Sequence, residues 1–141
     1  MDETKKLAEF CAALTFDDLP APVVEKAKHC LLDFFANVYG SLQLDEVQRV
    51  VDYYRAQGGS ATATVLGAGF STGVQHAAFV NGVGGEALEA QDGLRFGGNH
   101  PGVAVIPAVL AAAEETGASG KQVLTAIVVG YEVAGRVAAA V

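Results

Sequence analysis

The sequence predicts an all-α domain, a bundle of about six helices that takes up all 141 residues as a single unit. Apolar residues recur at helical spacing along most of the chain, as Leu7, Phe10, Cys11 and Leu14 do near the start. Glycine and proline interrupt these segments where helices are expected to begin and end. Only one short stretch, 62–65, alternates as a strand would. We therefore expect one helical domain with a buried core and little or no sheet.

The N-terminal part of the chain predicts three helices. Pro20 and Pro22 suit the entry to the second helix, and Gly40 suits a left-handed C-cap at its end. Asp33 falls within the apolar run of this helix, and a buried carboxylate needs partners. We expect Asp33 to cap or bridge a neighbouring element, in preference to a catalytic role. The three predicted ranges are 3–14, 23–39 and 44–57, the last ending at a Gly-Gly pair.

The middle of the chain predicts an extended segment followed by a fourth helix. Residues 62–65 form a short strand or an extended connector, and the glycines within 67–69 allow a turn. Ser71 or Thr72 is then placed to cap a helix over 73–89.

Three glycines, Gly82, Gly84 and Gly85, lie inside this fourth predicted helix. Each interior glycine costs about 1 kcal/mol relative to alanine. Close approach of the backbone to another helix or to a ligand would justify that cost. We therefore expect a tight contact at this position.

Two further helices complete the predicted bundle. Pro101 suits the first turn of the fifth helix, and Pro107 either kinks this helix or marks its true beginning. The helix is predicted to end near Gly117, and Ser119 to cap the sixth. The sixth segment, 121–141, is apolar on nearly every side, so we expect burial all round, in a longer protein or against another chain.

Composition excludes several classes of protein. The net charge of −7 and the absence of a basic stripe exclude a nucleic-acid partner. The apolar run 103–113 is too short to span a bilayer, and the start of the sequence lacks the order of a signal peptide. We expect a soluble, cytoplasmic protein without a membrane partner. Cys11 and Cys30 fall on apolar helical faces and are expected to be reduced thiols, not a disulfide or metal pair.

The chemistry-bearing residues are concentrated in 86–107, a glycine-rich loop between two apolar, helix-like segments. The sequence has no P-loop, nucleophile elbow or dinucleotide-binding fingerprint, and its three histidines lack a zinc-binding spacing. The candidate residues in the loop are Glu89, Asp92, Arg95, Asn99 and His100.

His100 precedes a proline-started helix, beside backbone N–H groups without helical partners. The positive end of a helix favours neutral imidazole and attracts anions, so His100 suits a general acid or base. Alternatively, it only caps the helix.

Glu89 and Asp92 lie three residues apart, on one face if the fourth helix extends that far. Paired carboxylates can divide acid and base roles, or they can form a solvated helix end. Arg95 either grips a substrate carboxylate bidentately or neutralises Asp92.

The loop and its flanks resemble the N-terminal domain of the MmgE/PrpD family, which includes 2-methylcitrate dehydratase, cis-aconitate decarboxylase and iminodisuccinate epimerase. The resemblance covers most of the chain and rests on the segment FVNGVGGEALEAQDGLRFGGNHPGVAVIPAVLAAAEETGASGKQVLTAIVVGYEVAGRV. Upstream, KAKHCLLDFFANVYGS and ATVLG support it.

This resemblance implies a helical domain, continued by a smaller α+β domain, in a homodimer. It implies a small di- or tricarboxylate substrate and proton abstraction beside a carboxylate, without a metal or organic cofactor. The family's histidine before Pro-Gly matches His100. Its acidic loop has a histidine and then L-D-x-D-D, where this sequence has Glu86, Glu89 and Gln91, so only Asp92 matches outright. These departures count against ordinary dehydratase activity.

Our leading hypothesis is a lyase- or isomerase-type domain of a short or split family member. The reaction is dehydration, decarboxylation or epimerisation. His100 is the acid/base, Asp92 its orienter or partner, Glu89 a further candidate acid, and Arg95 or Asn99 a substrate contact. The loop carries three acids and one arginine, so the cations for a carboxylate substrate must come from a complementary subunit or homo-oligomer. The alternative is a non-catalytic helical assembly or ligand-binding module derived from the same family.

Overall fold

The computed structural model describes residues 2–141, and these form a helical bundle with one small β-hairpin, confirming the predicted fold class. A short 3-10 helix, Phe16–Asp18, separates the first two α-helices. The α-helices are α1 Glu3–Ala13, α2 Ala21–Ser41, α3 Asp45–Gln57, α4 Val74–Glu86, α5 Gly102–Thr116 and α6 Gly120–Ala139, and the strands are β1 Ala63–Val65 and β2 Phe70–Thr72.

Helix α2 continues through Gly40, so the predicted left-handed C-cap at this residue is wrong. A Cβ atom at Gly40 would lie 2.9 Å from a methyl carbon of Leu88. Glycine is therefore needed here because the loop after α4 passes close to α2, not because the helix ends. The predicted stop of α3 is confirmed, since Gly58 follows it with a φ of 66°.

The extended segment at 62–65 is a strand, and it pairs with a second strand that we did not predict. β1 and β2 are antiparallel, with Val65 opposite Phe70, and the turn between them contains glycines with positive φ. Thr72 belongs to β2 and its hydroxyl donates to the Gly58 carbonyl at 3.1 Å. Capping of α4 by Ser71 or Thr72 was therefore wrong, because Gly73 is the N-cap residue.

The glycines of α4 lie where this helix contacts α2 and α5. A Cβ at Gly85 would lie 2.5 Å from the ring of Phe34, and one at Gly82 would lie 3.0 Å from the carbonyl oxygen of Val103. Since Pro107 has no N–H to offer the carbonyl four residues earlier, this Val103 oxygen lacks its usual helical partner. Close approach between helices thus accounts for the expected tight contact.

The core consists of two apolar clusters. One joins α3, the hairpin and α4 to Ala111 of α5, and it is centred on Val47, Val51, Val65 and Val80. The other lies between α2, α5 and α6 and contains Ala27, Cys30, Phe34, Val38, Ile106 and Ile127. α4 and α5, which pack against each other, connect the two clusters and form the walls of the groove described below.

The ends of α5 and α6 agree with the sequence. Pro101 precedes the first helical residue of α5, and Pro107 lies buried inside the helix, so the helix does not begin there. Gly117 closes α5 in the left-handed conformation, with a φ of 65°. Ser119 caps α6, its hydroxyl accepting from the Gln122 N–H at 3.4 Å.

We expect α6 to be buried on all sides in a longer protein or against another chain, and this stays a prediction, because residues 2–141 alone leave part of the helix exposed. Only Ile127 and Gly135 of this helix are fully buried, and the side chain of Val137 is 55% exposed. By length and composition α6 could cross a membrane, a property that it shares with core helices of soluble proteins. In this structure α6 packs on α2, α5 and the 3-10 helix, residues 123–135 are half-buried or buried, and the exposed residues lie at the two ends of the helix.

Candidate functional site

His100 is held by the main chain of the loop that carries it. Its Nδ1 atom lies 2.7 Å from the carbonyl oxygen of Asp92. Because a carbonyl oxygen can only accept a hydrogen bond, the neutral ring must carry its proton on Nδ1. The other nitrogen, Nε2, then keeps its lone pair. The ring is exposed, and His100 is one of the residues that line an open groove.

The side chain of Asp92 has a different partner. The hydroxyl of Tyr131 on α6 donates to Oδ2 of Asp92 at 2.8 Å. Burial, followed by this hydrogen bond to the carboxylate, raises the pKa of Tyr131 far above its ordinary range. Burial also raises the pKa of the neighbouring Cys30 thiol. Tyr131 therefore remains a hydrogen-bond donor throughout the neutral range.

The turn between Asp92 and His100 is fixed against α6. The Leu94 N–H donates to the Asn99 carbonyl at 2.8 Å, closing a short antiparallel bridge. The Asn99 side-chain amide donates to the carbonyl of Ala134 at 3.3 Å. Asn99 thus ties the loop to α6, and its role as a substrate contact stays a prediction.

Glu89 adopts a φ of 53°, the left-handed conformation that residues other than glycine seldom take. Glu89 and Asp92 were expected to share a helical face only if the fourth helix extended that far, and this condition is not met, because α4 ends at Glu86. The Glu89 N–H instead donates to the Glu86 carbonyl at 2.9 Å, and the chain turns away. Glu89 is exposed and lies in the groove beside His100.

Glu86 and Gln91, which depart from the histidine and aspartate that the resemblance implies, contact each other. The amide of Gln91 donates to Oε1 of Glu86 at 2.9 Å. The second carboxylate oxygen of Glu86 and the side-chain oxygen of Gln91 are buried with no hydrogen-bond partner among the described residues. Two acceptors without donors destabilise the site unless a donor is supplied.

Arg95 lies at the tip of the turn and is exposed. Within residues 2–141 it forms no ion pair, and the carboxylate of Asp92 is bonded to Tyr131. Arg95 therefore does not neutralise Asp92 in this structure, which was one of its two predicted roles. The guanidinium group remains available to an anion.

The groove between α4 and α5 has a volume of about 800 Å³ and mostly apolar walls. Its three titratable side chains come from the end of α4 and the following loop. They are Glu86, Glu89 and His100, set among Ala78, Phe79, Gly82, Val83, Ala87, Val103, Ala104 and Pro107.

A second cavity, of about 470 Å³, lies between α2, α6 and the loop. Lys26, His29, Cys30 and Asp33 of α2 share one helical face there, with spacings of three and four residues. Asp92 and Tyr131 complete the polar lining. Lys26 and His29 are cationic or titratable groups close to Asp92, and sequence reasoning did not assign them to the site.

Asp33 has a local partner. Its Oδ2 atom accepts from the side-chain amide of Asn37, one turn later in α2, at 3.3 Å. The expected cap or bridge to a neighbouring element is therefore not formed. Asp33 is half-buried and faces the second cavity. No three His, Cys, Asp or Glu side chains among residues 2–141 come close enough together to hold a metal ion.

Comparison with known proteins identifies one family profile and several relatives of this chain. The sequence profile described as "MmgE/PrpD N-terminal domain" matches residues 5–141. The chain is 33% identical to the cis-aconitate decarboxylase-like protein oryM of Aspergillus oryzae, over 97% of this chain and 30% of the relative. It is 28% identical to a cis-aconitate decarboxylase of Aspergillus terreus, over 98% of this chain and 29% of the relative. The chain thus spans about 30% of the length of these curated relatives.

Proposed function

This chain belongs to the MmgE/PrpD family, and on that premise we propose that it supplies the acid/base wall of a lyase site for a small carboxylate. The reaction begins with removal of a proton from the carbon beside a substrate carboxylate. Dehydration, decarboxylation and epimerisation are alternative continuations of this step. His100 is the acid/base, and Asp92 orients it.

The observation that carries the proposal is the hydrogen bond from His100 Nδ1 to the Asp92 carbonyl. This bond fixes the tautomer and leaves Nε2 free at the groove. A general base must reach the proton that it abstracts, and a ring held at one nitrogen and open at the other meets that requirement. Glu89, in the same groove, is placed to exchange protons with the product or with water.

A carboxylate substrate also needs cations, because Glu86 and Glu89 give the groove a negative charge. Arg95 is exposed on the loop, and Lys26 lies in the second cavity beside Asp92. We propose that further cations come from the remainder of a longer protein, a complementary subunit or a second copy of the chain. Activity then depends on the assembled state.

Native mass measurement followed by an isotope-exchange assay tests this function. The natively purified protein is incubated in deuterium oxide with citrate-like acids, with and without any co-purified partner. We expect deuterium to enter at the carbon beside a carboxylate, and His100→Ala to abolish the uptake. Exchange only in the presence of the partner would identify a split site, and the absence of exchange in every assembly state would refute the proposal.

A second candidate function is a ligand-binding or assembly module without catalysis. The Glu86–Gln91 hydrogen bond favours it, because this contact occupies two side chains that replace the histidine and the aspartate implied by the resemblance to the family. The isotope-exchange assay separates the two candidates. Binding of a citrate-like acid without deuterium uptake in any assembly would favour the module.

A further inference from the structure

The strongest unassigned contact near the candidate site joins α6 to the loop. Tyr131 donates to the Asp92 carboxylate, and Asp92 in turn accepts from His100 through its main-chain oxygen. We infer that Tyr131 is a positioning residue, which holds Asp92 in place and through it fixes the ring of His100. The expected effect of Tyr131 on the reaction rate rests on the proposed function, but its expected effect on the His100 tautomer does not.

The loop needs such an anchor because it has little regular structure of its own. Residues 87–101 form no helix or strand beyond the bridge between Leu94 and Asn99. Two side-chain hydrogen bonds tie this segment to α6, one at Tyr131 and the other at Ala134. These positions are three residues apart and so lie on one face of α6. The helix therefore holds both ends of the turn that precedes His100.

Packing around the Tyr131–Asp92 contact restricts its movement. A side chain at Gly102 would overlap the Asp92 carboxylate and the Tyr131 hydroxyl, so the first residue of α5 lies directly against the pair. A Cβ at Gly97 would lie 3.0 Å from the carbonyl oxygen of Gly135, which places the turn equally close to α6. The carboxylate is thus held between α5 and α6.

The tyrosine is chemically suited to this role. A hydrogen bond from a neutral hydroxyl to a carboxylate is stronger than one between two neutral groups. Burial and the contact with Asp92 keep the phenol protonated, so the bond persists over the range in which histidine titrates. The Tyr131–Asp92 hydrogen bond therefore does not change with pH over this range.

Other groups around His100 must be considered when its titration is measured. Glu86 of α4 and Glu89 of the loop share its groove, and α5 contributes apolar side chains together with its positively polarised N-terminus. From α6, Tyr131 contacts Asp92 and the Ala134 carbonyl contacts Asn99, and neither α6 residue is charged. From α2, the charged or titratable groups that share a cavity with Asp92 are Lys26, His29, Cys30 and Asp33. Tyr131→Phe changes none of these neighbouring charges, so an altered titration or tautomer of His100 reports on position.

Nitrogen NMR of selectively labelled histidine on the natively purified protein tests the inference. The three histidines are assigned by single substitution. In the unaltered protein we expect neutral His100 to carry its proton on Nδ1. In Tyr131→Phe we expect a mixture of tautomers and an altered titration midpoint. Asp92→Ala keeps the main-chain carbonyl but removes the carboxylate that accepts from Tyr131, so it should give the same mixture of tautomers.

A matched control is Tyr54→Phe, which removes a hydroxyl from a half-buried tyrosine of α3 and should leave the His100 tautomer unchanged. In the isotope-exchange assay, Tyr131→Phe should lower kcat about tenfold with KM within about twofold, since a hydrogen bond to a charged group is worth about that factor.

Two outcomes would overturn the inference, namely an Nε2-protonated His100 in the unaltered protein or an unchanged tautomer in both Tyr131→Phe and Asp92→Ala. A shifted tautomer in a protein that shows no exchange at all would support the positioning role and refute the proposed function. The two hypotheses can therefore fail separately.

Discussion

His100 Nδ1 lies 2.7 Å from the main-chain oxygen of Asp92, whereas the carboxylate of Asp92 is bonded to Tyr131. The two residues are thus coupled through the main chain, and the Asp92 side chain acts on His100 only indirectly, by holding that main chain in place. In many acid/base pairs a carboxylate contacts the histidine directly. Here a carbonyl takes that place, and the carboxylate anchors the loop.

The first prediction concerns the relative effects of the two residues. His100→Ala should reduce the rate of exchange by about 100- to 10,000-fold, the usual contribution of a positioned acid/base. Asp92→Asn keeps the carbonyl and a side-chain acceptor for Tyr131, so its loss should be about tenfold or less. Rates of deuterium uptake compare the two variants. Equal losses would indicate that the Asp92 carboxylate takes part in the chemistry itself.

The second prediction concerns the contact between α4 and α2. Gly85→Ala places a methyl group against the ring of Phe34 and should lower the free energy of unfolding by about 1–3 kcal/mol. Gly120→Ala is the control, because a Cβ there meets nothing within 4 Å, and it should be neutral or slightly stabilising. Urea denaturation measures both variants. A Gly85→Ala protein as stable as the parent would show that α2 and α4 can move apart without loss of stability.

The third prediction concerns stability at high pH. Cys30 and Tyr131 have raised pKa values in the folded protein, chiefly through burial, so they keep protons that the unfolded chain releases. The free energy of unfolding should therefore fall as pH rises above the ordinary values of 9.0 for the thiol and 10.0 for the phenol. Urea unfolding between neutral and alkaline pH measures this. Tyr131→Phe should show a shallower fall above pH 10, and an identical slope would contradict the assignment.

The fourth prediction concerns the unpaired acceptors at the end of α4. Glu86→Gln can keep the oxygen that accepts from Gln91 and place an N–H₂ group where the unpartnered, buried Glu86 oxygen lies. The free energy of unfolding should rise by about 0.5–1.5 kcal/mol. Glu114→Gln is a useful control because the same change there weakens the bonds that Glu114 accepts from Thr64. A destabilised Glu86→Gln protein would show that the site requires the charge of Glu86.

Much of the fold could be predicted because helix ends depend on local chemistry. Gly58, Gly117 and Ser119 end or begin helices as their backbone conformations and hydrogen bonds require. Gly40 misled us because a glycine needed for close packing has the same local sequence as a glycine at a helix end. Only the position of Leu88 distinguishes the two, and that contact is remote in sequence.

Part of the candidate site could be predicted because its residues lie close together in the sequence. His100 and Asp92 lie eight residues apart, so sequence could place them together. Tyr131 lies 39 residues from Asp92 and joins it only because α6 packs against the loop. The only available sign was that Tyr131 lies within the segment on which the family resemblance rests. Glu89 was assigned to the fourth helix, which ends three residues earlier, at Glu86. The glycines near the end of α4 lie at close contacts with α2 and α5.

Chemical rescue tests the base role of His100 most directly. His100→Ala protein, matched to the parent in native mass and circular dichroism, is assayed for deuterium uptake by citrate-like acids as imidazole is added. The account predicts that uptake is lost in the variant and partly restored by imidazole, with a pH dependence that follows the added base. Uptake at the parental rate without imidazole would contradict it.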